Sequence, residues 1–133
     1  MADNSFVVKI ITPTRVFYEG TAEMIEFNTV EGEIGVYKNH IPLTTVIAPG
    51  IVVITEGEEK RKAAVHSGFA EILGDKVTIL AEVAEWPEEI DVDRAIAARD
   101  RAEKRLTEKG ENVDVARAEI ALRKSLVRIS IRS

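Results

Sequence analysis

Arg94, Arg101 and Arg105 recur two turns and then one turn apart. At ~100° per residue this puts the three guanidinium groups within roughly 40° of one another on a helix. Asp91 opens the row, and Lys124 and Arg128 stand one turn apart further along. Several cations meeting at one point repel unless an anion joins them. The planar fork of arginine suits phosphate, because it gives paired hydrogen bonds. The spacing therefore points to a phosphate-bearing ligand gripped between two helices. No G-x-x-x-x-G-K-[ST] loop is present, so such a site would bind without hydrolysing. Glu103 and Glu108 lie nearby, and a solvated, ion-paired helix face accounts for the same spacing.

Other chemistry finds less support. His40 and His66 are the two histidines, and no spacing around them gathers a metal ligand set. His40, just before Pro42 in a turned loop, reads as a hydrogen-bonding brace. Ser67-Gly68 is no nucleophile elbow, because no G-x-S-x-G precedes a helix. The carboxylates are scattered, and nothing pairs them for acid–base work. An enzyme active site is not expected.

The absence of cysteine removes disulfides, thiolate metal sites and thiol nucleophiles. The 133 residues are 45% hydrophobic and 31% charged, an ordinary globular balance. Residues 1–5 lack a basic stretch followed by an apolar run, so no secretory signal is expected. The uncharged run 41–55 is broken by Pro42, Pro49 and Gly50 and is too short to span a bilayer as a helix. Membrane association would go through a partner. The net charge of -5 is uneven. Residues 1–86 carry 7 Lys or Arg against 13 Asp or Glu, and residues 87–133 carry 11 against 10. An acidic body with a basic end suggests two surfaces for different partners. Nucleic acid is weakened as a partner, since the basic end has no aromatic stacking groups.

The elements that must position these residues fall into two blocks. Residues 6–11, 15–18, 21–29, 43–47, 51–55, 60–66, 67–73 and 76–81 read as short strands, rich in β-branched residues and closed by turns. Met24, with Ala22, is out of phase with Ile25 and Phe27, which predicts a bulge. The stretch 31–43, with Gly32, Gly35 and Pro42, reads as a shaped loop suited to docking. Eight or nine short strands predict an all-β sandwich or flattened barrel. At Trp86-Pro87 the period changes, dividing the chain into a β domain over 1–86 and a helical hairpin over 87–133. Asp91 is a plausible N-cap for a helix over 91–108. Lys109-Gly110-Glu111-Asn112 closes it, and Asn112 or Asp114 caps a second helix ending near Arg128.

On the first helix Val92, Ala95, Ile96, Ala102 and Leu106 share a side. The second carries two apolar stripes, one of Val113, Ala116, Ile120, Val127 and Ile131, the other of Val115, Ala118, Leu122, Leu126 and Ile129. The side chains are mostly small, so hairpin packing should be thin. If the hairpin straightened, residues 91–131 would reach ~60 Å.

Along its length the chain resembles the epsilon subunit of F-type ATP synthases. The resemblance rests on Glu31-Gly32-Glu33-Ile34-Gly35, on His40-Ile41-Pro42-Leu43, on Ser67-Gly68-Phe69-Ala70-Glu71-Ile72 followed by Lys76-Val77-Thr78-Ile79-Leu80-Ala81, and on the alanine-rich hairpin. It implies a ten-stranded β-sandwich, a non-catalytic rotor role and a peripheral place on the cytoplasmic face of a bacterial membrane. It implies a gamma subunit and a ring of c subunits as partners, with Glu31, Gly32, Glu33 and nearby His40 at the docking edge. It implies that an extended hairpin enters the alpha/beta catalytic head and blocks ATP hydrolysis, with Arg117, Arg123, Lys124 and Arg128 as inhibitory contacts. Ile90-Asp91-Val92-Asp93-Arg94-Ala95 matches the ATP-binding motif of Bacillus-like members. That match implies ATP as a regulatory ligand held by Glu85, Ile90, Asp91, Arg94, Ala95, Arg101, Lys124 and Arg128, with no metal assigned. A free-standing nucleotide sensor and a nucleic-acid adaptor remain alternatives.

Overall fold

The computed structural model describes residues 4–108, 110 and 113–132. Eight strands form one hydrogen-bonded sheet that folds back on itself. They are β1 (Phe6–Ile11), β2 (Val16–Ala22), β3 (Met24–Thr29), β4 (Gly32–Tyr37), β5 (Leu43–Ile47), β6 (Gly50–Glu56), β7 (Glu59–Ile72) and β8 (Lys76–Glu85). The path runs β2-β1-β8-β7-β5-β3-β4, with β6 bridging β3 and β7. β3, β6, β7 and β5 thereby close a ring, which makes the flattened sandwich. β1 and β8 pair in parallel, and the other pairs are antiparallel.

The sandwich has eight strands rather than the ten implied by the resemblance. Residues 60–66 and 67–73 read as separate strands, but they form one strand of 14 residues. Its first half pairs with β6 and its second with β5, in unbroken register. The change of partner happens at Ser67 and Gly68, which have φ of 57° and 140°. A Cβ on Gly68 would sit 2.0 Å from the Leu80 carbonyl oxygen, so glycine is required there. The inward face also changes. Ala63 and Val65 enter the core before the kink, and Ala70 and Ile72 enter it after.

Three further expectations change. The stretch 31–43 is not all loop, because β4 pairs with β3 across the turn at Val30-Glu31. Val36 fills the core, and Gly32, at φ 125°, supplies the turn. The predicted bulge near Met24 is instead a break at Glu23, between Ala22 of β2 and Met24 of β3. The strand read over 15–18 runs on to Ala22.

The core is built from Phe6, Val8, Ile10, Phe17, Ile25, Phe27, Ile72, Val77 and Ile79, among others. A short 3-10 turn (Pro87–Glu89) then leads to α1 (Val92–Glu108) and α2 (Val115–Arg132). α2 runs past Arg128, since no proline or glycine stops it. Asp114 caps it, its Oδ1 accepting the Arg117 N–H at 3.1 Å. Asn112, the alternative cap, lies outside the described residues, as do Lys109 and Glu111. α2 lies against α1 and also touches β6 and β7. Neither stripe of α2 is wholly covered. Ala118 and Ser125 are buried, while Val115, Ile120 and Leu126 stay exposed. Among the described residues no helix is long and apolar enough to cross a membrane.

Candidate functional site

The seam between sandwich and hairpin is pinned by the single tryptophan. Trp86 stacks on Phe17 at 4.2 Å and meets Tyr18 edge-on at 6.2 Å. The Arg61 guanidinium lies 3.9 Å above the Trp86 ring. Glu89 fixes the next turn. Its Oε1 accepts from the Trp86 N–H and from Arg15 Nη2, both at 2.8 Å. The Arg15 guanidinium holds the Glu89 carboxyl below its usual range, and the Trp86 N–H adds to this. The chain then buries Ile90 and reaches Asp91, whose Oδ1 accepts the Arg94 N–H at 3.1 Å. That contact caps α1 and sets the rotation of its first turns.

A cavity of about 390 Å³ opens at this seam. β8 contributes Glu85, and the linker contributes Glu89, Ile90 and Asp91. α1 contributes Arg94, Ala95, Ala98 and Arg101, and α2 contributes Arg128. The volume is within the range of small-molecule sites. Its charges are unequally engaged. Arg128 Nε donates to Glu85 Oε1 at 2.7 Å. No hydrogen bond or ion pair to a described residue engages the guanidinium of Arg94 or Arg101. Ile90, Ala95 and Ala98 supply an apolar strip beside these two free cations. The arrangement can hold a ligand with a flat apolar part and an anionic tail.

Seven of the eight residues expected at an ATP site line this cavity: Glu85, Ile90, Asp91, Arg94, Ala95, Arg101 and Arg128. Lys124 does not. It lies on α2, where its charge helps lower the pKa of His66. Arg105, the third member of the arginine row, lines a different cavity with Asp114 and Arg117 near the start of α2. Glu89 and Ala98 were missed. Ala98 is one turn beyond Arg94, so helical period could have placed it. Glu89 is fixed by Arg15, 74 residues away, and has no local signal.

The expected docking residues sit on the sandwich. Glu31, Gly32 and Glu33 are exposed at the β3–β4 turn and line a shallow cleft with Leu43, Thr44 and Thr45. His40 stands outside that cleft, with Nδ1 2.6 Å from the Ile41 carbonyl oxygen. Of the expected inhibitory contacts, Arg117 and Arg123 are exposed on α2, Lys124 is half-buried and Arg128 is tied to Glu85.

Sequence reading assigned His66 no role. The structure places it on β7 with 0% exposure and without a hydrogen-bond partner for either ring nitrogen.

Two family models together match residues 5–131. Residues 5–87 match the family model described as ATP synthase, Delta/Epsilon chain, beta-sandwich domain. Residues 88–131 match the ATP synthase, Delta/Epsilon chain, long alpha-helix domain. The ATP synthase epsilon chain of Caldanaerobacter subterraneus subsp. tengcongensis is 46% identical, over 98% of this chain and 96% of that one. The ATP synthase epsilon chain of Brevibacillus brevis is 54% identical, over 84% of this chain and 85% of that one. A chain in the structure of the Euglena gracilis mitochondrial ATP synthase, OSCP/F1/c-ring, superposes with a TM-score of 0.81. It is 26% identical, and the match covers 92% of this chain and 78% of that chain.

Proposed function

Because the chain belongs to the ATP synthase delta/epsilon family, we propose that it is a rotor subunit of the central stalk, non-catalytic itself, whose sandwich docks and whose hairpin regulates. The seam cavity binds ATP and holds the hairpin folded. When the hairpin is released, it extends into the alpha/beta head and slows ATP hydrolysis. The subunit works peripherally at the membrane, reached through the complex alone.

A transverse apolar row supports the docking half of this reading. Val16, Ile11, Leu80, Phe69 and Val46 are paired in register across β2, β1, β8, β7 and β5. Val16, Leu80, Phe69 and Val46 are 42–56% exposed. At ~4.8 Å per strand the row spans about 19 Å of outer sheet. An apolar band of this length marks a protein contact. The gamma subunit is the proposed occupant, and the acidic Glu31–Glu33 turn is proposed to meet the c-ring.

The observation that carries the regulatory half is the cavity with its two unengaged guanidiniums. Arg94 and Arg101 stand two turns apart on α1 at the mouth of a site that also needs β8 and α2. A triphosphate satisfies both cations, and the adenine finds the strip of Ile90, Ala95 and Ala98. Such a ligand fills only the folded hairpin. At a hundred times its Kd it adds about 2.7 kcal/mol to the folded form. That exceeds what a partly exposed ion pair such as Glu85–Arg128 supplies, about 1 kcal/mol.

Calorimetry on the full chain tests this. ATP should bind, and Arg94→Ala and Arg101→Ala should each weaken it at least tenfold; equal affinities in wild type and both variants would remove these residues from the site. The inhibitory role has its own test. An assembled enzyme lacking residues 88–133 should hydrolyse ATP faster, and an unchanged rate counts against inhibition.

A further inference from the structure

His66 is buried on the sheet face opposite the core. Its neighbours Ala63 and Val65 point into the sandwich, while Ala64 and His66 point the other way and are nonetheless 0% exposed. α2 packs on β7 and covers that face. The charged groups facing the ring are Glu85 from β8, with Oε1 3.6 Å from His66 Nε2, and Arg128 and Lys124 from α2. β6, on the other side of β7, offers uncharged Gly50 and Ile51 at the adjoining positions. The distance to Glu85 is too long for a hydrogen bond, so neither ring nitrogen has a partner. The Glu85 carboxylate is already committed to Arg128 at 2.7 Å.

This is an unusual place for a titratable group. A neutral imidazole can lie there, at the cost of two unsatisfied nitrogens. An imidazolium cannot, since it would be a buried cation facing Arg128 and Lys124 and competing with Arg128 for one carboxylate.

We propose that His66 is a proton-sensitive positioning residue: taking up one proton on the ring detaches α2 from β7 and releases the hairpin as pH falls. Glu85 and Arg128 would separate in the same event, because both line the seam cavity and their pair spans from β8 to α2. The inference goes beyond the nucleotide reading and does not depend on it.

The direction follows from linkage. With α2 in place, burial first, then Arg128 and Lys124, push the His66 pKa down to about 3. With α2 lifted, the ring meets water and returns to about 6.5. Docking is therefore at full strength above about 6.5. It weakens as pH falls below that value, because the undocked form gains the proton first. Between pH 7.5 and 5.5 the docked-to-undocked ratio should drop about tenfold.

The chain has no cysteine, so Glu58→Cys with Glu119→Cys places one spin label on the β6–β7 tip and one on α2. Both sites are exposed. The distance distribution is recorded without nucleotide from pH 7.5 to 5.5. Wild type should shift from a short to a long population with the tenfold change above. His66→Leu, and His66→Gln in case leucine misfolds, should show none of it, although His40 is intact in both. A wild type that does not open overturns the proposal, and so does a variant that opens as wild type does. Calorimetry across the same pH range separates this from the ATP reading. Acid opening with no ATP binding at any pH would sink the nucleotide site alone.

Discussion

In the sandwich, Phe27, Ile10, Ile25, Ile72 and Ile79 are no more than 1% exposed. In the two helices, among the described residues, the buried positions are Ala95, Ala102, Ala118 and Ser125. Each buried methylene contributes about 0.8 kcal/mol, so the two halves differ greatly in how firmly they are held. α2 even leaves Val115, Ile120 and Leu126 at 43–47% exposure. The sandwich is a fixed platform. The hairpin is held by small side chains, by the Glu85–Arg128 pair and by Arg132 Nη1 donating to the Pro87 carbonyl oxygen at 3.2 Å. The asymmetry suits the proposed regulatory role, because an element that must let go cannot be packed like a core.

The strongest way to break the comparison is to weaken the platform. Phe27→Ala leaves a cavity among Ile and Val side chains and should cost about 3–5 kcal/mol. Urea titration followed by Trp86 fluorescence reads this directly, since Trp86 stacks on Phe17 of the sandwich. The helical circular-dichroism signal should be lost no later than the fluorescence change, because the hairpin has no independent core. If the helices outlast the sandwich, the hairpin is self-supporting and the asymmetry is wrong.

Next in size is the strut between the halves. Both partners of Glu85–Arg128 are about one-quarter exposed. Arg128→Ala should therefore cost docking about 1–2 kcal/mol, between the values for exposed and buried pairs. The unfolding midpoint of the sandwich should not move. Spin-label distances between β6–β7 and α2 should lengthen, and ATP should bind more weakly if the seam cavity is its site. A lower midpoint with unchanged distances would mean that the pair braces the sandwich instead.

Much of this contrast was legible in the sequence. The change from period two to helical period at Trp86-Pro87 marks the seam, and the arginine spacing finds Arg94 and Arg101. Asp91 was legible as a cap because capping is local. Spacing put Arg128 in the cation cluster, but Glu85 came only through the family resemblance, since its contact with Arg128 joins residues 43 apart. Arg15 with Glu89, and His66 beneath α2, depend on tertiary placement and leave no periodic signal. β4 was read as loop because Gly32 and Gly35 look like turn residues, yet Gly35 lies in the middle of the strand against Met24. Residues 60–66 and 67–73 read as separate strands, whereas Ser67-Gly68 is a kink in one continuous ladder. In each case the local composition was read correctly and then overruled by a pairing partner distant in sequence.

The smallest effect is the sharpest test of how thin the hairpin packing is. Ala102 is 2% exposed in the middle of α1. Ala102→Gly removes one buried methyl and loosens the backbone there. The loss is about 1 kcal/mol, the difference between alanine and glycine within a helix. In a well-packed core such a change is minor. In a hairpin whose docking rests on a few kcal/mol at most, it should visibly fray the helix, lowering the circular-dichroism signal near room temperature. The urea midpoint read by Trp86 should stay where it is. A midpoint that falls with the helix signal would mean the sandwich and hairpin unfold as one unit, with α1 supporting the platform it was taken merely to rest on.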